Sequence, residues 1–319
     1  MFYKDQDGKW KFLKVPKHFN PIYAKALEKY FNCLDSLFKK AQEKSEFEFI
    51  LSLLNITGQQ GPGWEPFETT KDIFRFFNKL KKKIKYGKES LYLTLLLYGL
   101  TIEASYPYDL IMNLLTVASG ERFTTKNFPD KKIGKNKTRP QFPSEKINKI
   151  LDKAQTINLE HTVVPIVEIF NKELRNSIFH SDYTIYGEEI RIPQIYKRSD
   201  IIALINKSLA YFETILNLKE FYRLLYTEPK TINVHPEFCD PNAKATVMVR
   251  EGTGVIGIRI DNAHIALLLP YEQKLLEEKP DLNMFPPNKI DRLNRYIRFI
   301  PIPIRRKVIR YYERILNIK

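Results

Sequence analysis

The chain has 319 residues, 43% of them apolar, which is enough for one or more packed cores and exceeds the usual size of a single domain. A net charge of +15, from 52 Lys and Arg against 37 Asp and Glu, favours an anionic partner, although a lysine-rich proteome would give the same excess. The two cysteines, Cys33 and Cys239, lie far apart in sequence, so the composition indicates neither a disulfide framework nor a zinc site.

The start of the chain does not resemble a targeting segment. Residues 1–16 alternate Lys with aromatic residues and lack the apolar stretch of a signal peptide. The longest apolar run, residues 91–104, is too short to cross a bilayer and contains Glu103. We therefore expect a cytoplasmic protein without a membrane partner.

Apolar residues recur at helical spacing through most of the chain. This pattern predicts helices over residues 21–57, 72–86, 89–104, 108–118, 144–156, 162–180 and 199–225. Alternating apolar residues around glycine predict short β-hairpins over residues 183–193 and 244–261. The predicted fold class is mainly α: a helical bundle with a short β-hairpin after one of its helices, and a smaller α+β C-terminal region.

These elements suggest three segments. We expect an N-terminal helical segment over residues 1–70, a helical bundle over residues 71–228, and a C-terminal α+β region with a basic helical tail over residues 229–319. The sequence pattern changes after Pro229, where helical periodicity is replaced by segments rich in Val and Ile.

Positive charge is concentrated in a polar loop, residues 121–143, and in the tail, residues 289–319. Each is equally well explained as a solvated surface or as a nucleic-acid contact. The candidate phosphate-binding residues are Lys131, Lys132, Lys135, Lys137, Arg139, Arg305, Arg306 and Arg310.

Two Arg and His pairs with a separation of five residues suggest chemistry on phosphodiesters. A permanent cation stabilises developing negative charge, and an imidazole exchanges protons, so the two together suit cleavage without a metal. Arg259 and His264 follow a strand-like run, where an odd separation directs side chains to opposite faces. Arg175 and His180 end a predicted helix, and we favour this pair.

A continuous helix over residues 162–180 would arrange polar residues around this pair. Its buried stripe would comprise Val167, Phe170, Leu174 and Ile178. Glu168, Asn171 and Arg175 would share a second stripe, with Asn176 one turn before His180. Glu168 would then hold the guanidinium by an ion pair and Asn176 would orient the imidazole. The residues alone equally allow a structural pair, with Arg bound to a carboxylate and His at the helix C-terminus.

The run Leu174-Arg175-Asn176-Ser177-Ile178-Phe179-His180, followed by a hairpin and another long helix, resembles the HEPN superfamily of helical bundles. The motif of that superfamily is an Arg, a polar residue, a few variable residues and a His. The resemblance covers about residues 72–228. It implies an endoribonuclease that needs no metal or other cofactor, often acting in toxin or antiviral systems, with an antitoxin or regulatory partner.

The resemblance also implies a homodimer whose two motifs meet in one cleft. Arg175 would stabilise the transition state while His180 transfers protons as the RNA 2′-hydroxyl attacks the neighbouring phosphate. A single His does not easily act as both acid and base in one concerted step, so a second subunit would supply the other. Two alternatives remain at this stage: a non-catalytic nucleic-acid-binding or scaffold protein that uses the basic tail and loop, and a nucleotide-binding protein.

Overall fold

The computed structural model describes residues 2–12, 20–54, 88–234 and 244–260, except 5, 136 and 188, together with isolated positions between residues 72 and 79. The predicted helical tail with Arg305, Arg306 and Arg310, and His264 of the rival pair, lie outside the described residues. Within them the predicted fold class is confirmed: the chain is mainly α, with small antiparallel β-sheets.

The described helices are, in chain order, α1 (Pro21–Lys44), α2 (Glu46–Leu54), α3 (Lys88–Glu103), α4 (Ser105–Ala118), α5 (Pro143–Thr156), α6 (Glu160–Ile169), α7 (Lys172–His180) and α8 (Arg198–Leu224). The strands are β1 (Phe2–Lys4), β2 (Trp10–Phe12), β3 (Lys131–Lys132), β4 (Thr138–Arg139), β5 (Thr184–Tyr186), β6 (Glu189–Arg191), β7 (Ile195–Lys197), β8 (Lys230–Asn233), β9 (Lys244–Arg250) and β10 (Gly254–Ile260). All strand pairs in the described part of the chain are antiparallel.

The chain divides into two compact units that differ from the three predicted segments. The bundle unit comprises residues 1–44 and 62–222, and the sheet unit comprises residues 45–61 and 223–319. Helix α1 therefore belongs with the bundle, where it packs against α4 and α6, rather than with a separate N-terminal segment. Helix α2 packs against β8 and β10, so it joins the C-terminal strands. Tertiary packing, which local periodicity does not report, sets these boundaries.

The core of the bundle unit is aromatic and aliphatic. Tyr30 and Phe38 of α1, Tyr98 of α3 and Ile215 of α8 are fully buried. Each large apolar side chain moved out of water contributes about 1.5–3 kcal/mol to the free energy of unfolding. The buried hydroxyl of Tyr222 on α8 donates to Oδ1 of Asp35 on α1 at 2.8 Å, which joins these two helices. This core gives α3 and α7, which contact each other, a fixed support.

Helix α8 is long and apolar enough to meet the criteria for a membrane span, and it is the one described helix that does so. Its most apolar 18-residue window has a mean hydropathy of 1.2, and half of that window is buried within the protein. The core helices of soluble proteins share these properties, so the helix is weak evidence for a membrane segment.

The sheet unit contains the predicted hairpin of residues 244–261, which forms β9 and β10 and is confirmed. Strand β8 adds to its other edge, giving the order β10-β9-β8. Gly254, the first residue of β10, lies close to the backbone of Arg223; a side chain is not tolerated there, because φ is +73° and a Cβ would lie 2.0 Å from the Arg223 carbonyl oxygen.

Candidate functional site

The segment that carries the Arg and His pair is two helices, so the prediction of one helix over residues 162–180 is wrong. Helix α6 ends at Ile169 and α7 begins at Lys172. The buried Tyr98 hydroxyl occupies the break: it donates to the Ile169 carbonyl at 3.0 Å and accepts from the Asn171 amide at 2.9 Å. Asn171 then caps α7, its Oδ1 accepting from the Leu174 amide at 2.9 Å.

The break changes which side chains face the core. Leu174 and Ile178 are buried, as predicted, because they lie on α7. Val167 lies on α6 and is 47% exposed, so it does not continue their stripe. The 100° rotation per residue that relates side chains on one helix does not extend across an extended residue such as Asn171.

Glu168 was expected to hold Arg175, and this prediction is wrong for the same reason. Glu168 is on α6, where its carboxylate accepts hydrogen bonds from Nζ of Lys29 and, at 3.0 Å, from the hydroxyl of Tyr30. Both partners belong to α1, so Glu168 joins α6 to α1. Burial is the largest influence on the pKa of this carboxyl and opposes ionisation, but the hydrogen bonds from Lys29 and Tyr30 outweigh it, and the pKa lies below its ordinary value.

Arg175 is held instead by Glu103, the last residue of α3. The Nε and one terminal nitrogen of the guanidinium bind Oε1 of Glu103. The other terminal nitrogen donates to Oδ1 of Asn176 at 2.9 Å. Only 19% of the Arg175 side chain is exposed, so these contacts fix its orientation. They use three of the five N–H groups of a guanidinium, which leaves two that can donate to another acceptor.

His180 is the last residue of α7 and is exposed to solvent. The helix ends in a left-handed residue, Ser181, with φ 55° and ψ 30°. The next amide, of Asp182, donates back to the Ser177 carbonyl at 2.9 Å, which reverses the chain. The reversal brings Asp182 beside the face of α7 that carries His180.

A small open pocket of about 180 Å³ lies on this face. Its lining residues are Glu173, Asn176, Ser177, His180, Asp182 and Pro193. Asn176 connects the pocket to Arg175, because the side chain that lines the pocket also accepts the hydrogen bond from the guanidinium. Its predicted role was to orient the imidazole; in the structure its oxygen orients Arg175, and no hydrogen bond joins Asn176 to His180.

The basic loop contains a short hairpin of β3 and β4. The predicted phosphate-binding residues of this loop fall into two groups, those in ion pairs and those exposed without an ion pair to a described residue. Arg139 donates to both oxygens of Glu145, at 2.7 and 2.9 Å, and Lys131 donates to the same carboxylate at 2.8 Å. The hydrogen bonds from Arg139 and then Lys131 hold the pKa of Glu145 well below its ordinary value. In contrast, Lys132, Lys135 and Lys137 are exposed and form no ion pair with a described residue.

The ring of Phe142 contacts guanidinium groups from both this hairpin and α7. The Arg139 guanidinium lies 4.0 Å from the centroid of its ring, and the Arg175 guanidinium lies 6.0 Å from the same centroid. Arg175 is also 5.3 Å from the ring of Phe179. Arg139 and Arg175 therefore both approach the ring of Phe142.

Comparisons with protein-family models, curated proteins and solved structures found no match for this chain. Among the described residues, no three His, Cys, Asp or Glu side chains are grouped as metal ligands. The residue that sequence reasoning missed is Glu103. A single acidic residue at the end of an apolar helix, far from any predicted partner, was the available signal.

Proposed function

We propose that this protein is a HEPN-type endoribonuclease that cleaves RNA by attack of the 2′-hydroxyl on the adjacent phosphate, without a metal. The observation that carries this proposal is the arrangement on α7. Arg175 is held by the carboxylate of Glu103 and donates to Asn176. Asn176 lines the same open pocket as the exposed His180. The residue order also matches the HEPN motif.

Each residue has a defined task in this proposal. His180 transfers a proton to or from the reacting oxygens, for which an exposed imidazole at an open pocket is accessible. Arg175 donates its two remaining N–H groups to the phosphate, whose negative charge increases in the transition state. Glu103 and Asn176 are positioning residues, because they bind Arg175 and fix its plane.

A complete site needs a second proton-transfer group, since the 2′-hydroxyl loses a proton while the leaving 5′-oxygen gains one. We propose that His180 of a second copy supplies it, so that the active form is a homodimer. Uncontrolled RNA cleavage damages a cell, and we therefore propose a cytoplasmic role in a toxin or antiviral system, with an antitoxin or regulatory partner.

The first test is RNA degradation by the purified full chain in the presence of EDTA. We expect Arg175→Ala to lower kcat by about 10²–10³-fold and His180→Ala by about 10²–10⁴-fold, the usual losses for a charge-stabilising group and a general acid or base. His161→Ala is the matched control, because His161 is exposed at the start of α6 and outside the pocket. Equal degradation by all variants would show that α7 does not carry the activity.

One observation favours a second candidate, a non-catalytic nucleic-acid-binding or scaffold protein. The exposed Lys132, Lys135 and Lys137 can bind phosphates without any chemistry, and the Arg175 ion pair with Glu103 is also what a structural arginine would form. This candidate predicts RNA binding that weakens with salt, survives His180→Ala and produces no cleavage. Deleting residues 289–319 tests whether the basic tail contributes to that binding.

A further inference from the structure

We propose that Phe142 and Phe179 form a stacking platform that binds the unpaired bases of a single-stranded RNA beside Arg175. This inference rests on the proposed function and defines its substrate class. The platform consists of these two phenyl rings and the guanidinium groups of Arg139 and Arg175.

Both rings of the platform are exposed to solvent. Phe142 is 49% exposed and Phe179 is 43% exposed, although a phenyl ring on a protein surface ordinarily gains stability by burial. Phe142 immediately precedes α5 and Phe179 lies on α7, and both approach the guanidinium of Arg175. Two exposed rings that converge on the proposed phosphate-binding arginine form a surface of the right chemistry for a nucleotide.

Both residues are held in place, Phe179 by contact of its ring with α3 and Phe142 through its backbone. A Cβ on Gly99 of α3 would lie 3.1 Å from two ring atoms of Phe179, so the absence of a side chain at Gly99 lets this ring lie close against the helix. Phe142 is the N-cap residue of α5, and its amide donates to Glu145 at 2.9 Å. Rings that are already oriented lose little conformational entropy when a base stacks on them.

The chemistry of the platform fits an unpaired nucleotide. Bases stack on aromatic rings and on guanidinium planes, while neighbouring cations bind the phosphates between them. The hairpin that begins at Lys131 and ends at Arg139 presents the exposed Lys132, Lys135 and Lys137 for that purpose. In an A-form duplex the bases are stacked on each other, so the platform selects single strands, loops and bulges.

The test measures stacking separately from cleavage. A single-stranded RNA containing 2-aminopurine, whose fluorescence is quenched by stacking, is titrated with the full-length His180→Ala protein in EDTA. We expect saturable quenching. Phe142→Leu and Phe179→Leu, which keep an apolar side chain but remove the π-face, should each reduce quenching and weaken binding by about 5- to 150-fold, the range for losing one stacked base. Phe142→Tyr should retain both.

The control is Tyr186→Leu, because Tyr186 is an exposed aromatic with its own arginine, Arg191, at 4.7 Å. Loss of quenching in the two Phe→Leu variants but not in Tyr186→Leu supports the platform. Unchanged affinity and quenching in all variants, with RNA still cleaved by the native chain, overturns the platform alone. No RNA binding or cleavage by the native chain overturns the proposed function, and the platform with it.

Discussion

At the scale of single residues, the site depends on the contact between Arg175 and Glu103. The carboxylate binds two nitrogens of the guanidinium and Asn176 binds a third, so the arginine is presented in one orientation. Glu103 is 72 positions away in sequence. Helical spacing relates only residues within a few turns of each other, so it predicted Glu168 as the partner of Arg175. In the structure Glu168 binds Lys29 and Tyr30 of α1.

We expect Glu103→Gln to lower kcat by about 10- to 100-fold, because a glutamine binds the guanidinium less strongly and a small displacement of a catalytic group is costly. Glu168→Gln is the control, and it should leave kcat unchanged because Glu168 contacts Lys29 and Tyr30. Steady-state cleavage of a short RNA gives kcat and KM for each variant. A larger loss in Glu168→Gln than in Glu103→Gln would contradict this assignment.

At the scale of elements, most of the fold could be predicted from local pattern. The long helix α8 was expected over residues 199–225 and spans Arg198–Leu224, and the hairpin of β9 and β10 was also expected. The local pattern did not predict the break between α6 and α7, because the group that stabilises this break is the hydroxyl of Tyr98 on another helix. The predicted hairpin over residues 183–193 forms β5 and β6, and a third strand, β7, lies after that range and pairs with β6.

The N-cap of α7 gives a prediction at this scale. Asn171→Ala removes the side-chain oxygen that accepts from the Leu174 amide, so the free energy of unfolding should fall by about 1 kcal/mol, within a range of about 0.5–2. Asn171→Asp keeps an acceptor and should retain most of the stability. Urea denaturation of the full chain measures both variants. A loss as large in Asn171→Asp as in Asn171→Ala would argue against the cap.

At the scale of the whole molecule, tertiary contacts group distant parts of the chain. Helix α1 packs in the bundle unit although a long stretch of sequence separates it from α3, and α2 packs with strands from the other end of the chain. Composition had indicated an anionic partner, and the structure adds that Lys131 and Arg139 bind Glu145, whereas Lys132, Lys135 and Lys137 are exposed.

The proposed homodimer makes a prediction at this scale. The chain has a mass of 37.7 kDa, so sedimentation equilibrium should give about twice that value at working concentrations. If both subunits contribute His180 to one site, a large excess of His180→Ala protein should form mixed dimers and suppress the native activity. Unchanged activity after subunit exchange, or a monomer that retains full activity, would contradict a shared site.

The most direct test of the proposed nuclease uses a DNA oligonucleotide with a single ribonucleotide. Attack by the 2′-hydroxyl can occur only at that nucleotide, and it leaves a 2′,3′-cyclic phosphate on one product and a 5′-hydroxyl on the other. We predict these products from the native chain in EDTA, with no cleavage of the all-DNA oligonucleotide and a large loss of rate in His180→Ala. Cleavage of the all-DNA strand, or equal rates with and without His180, would contradict the proposal.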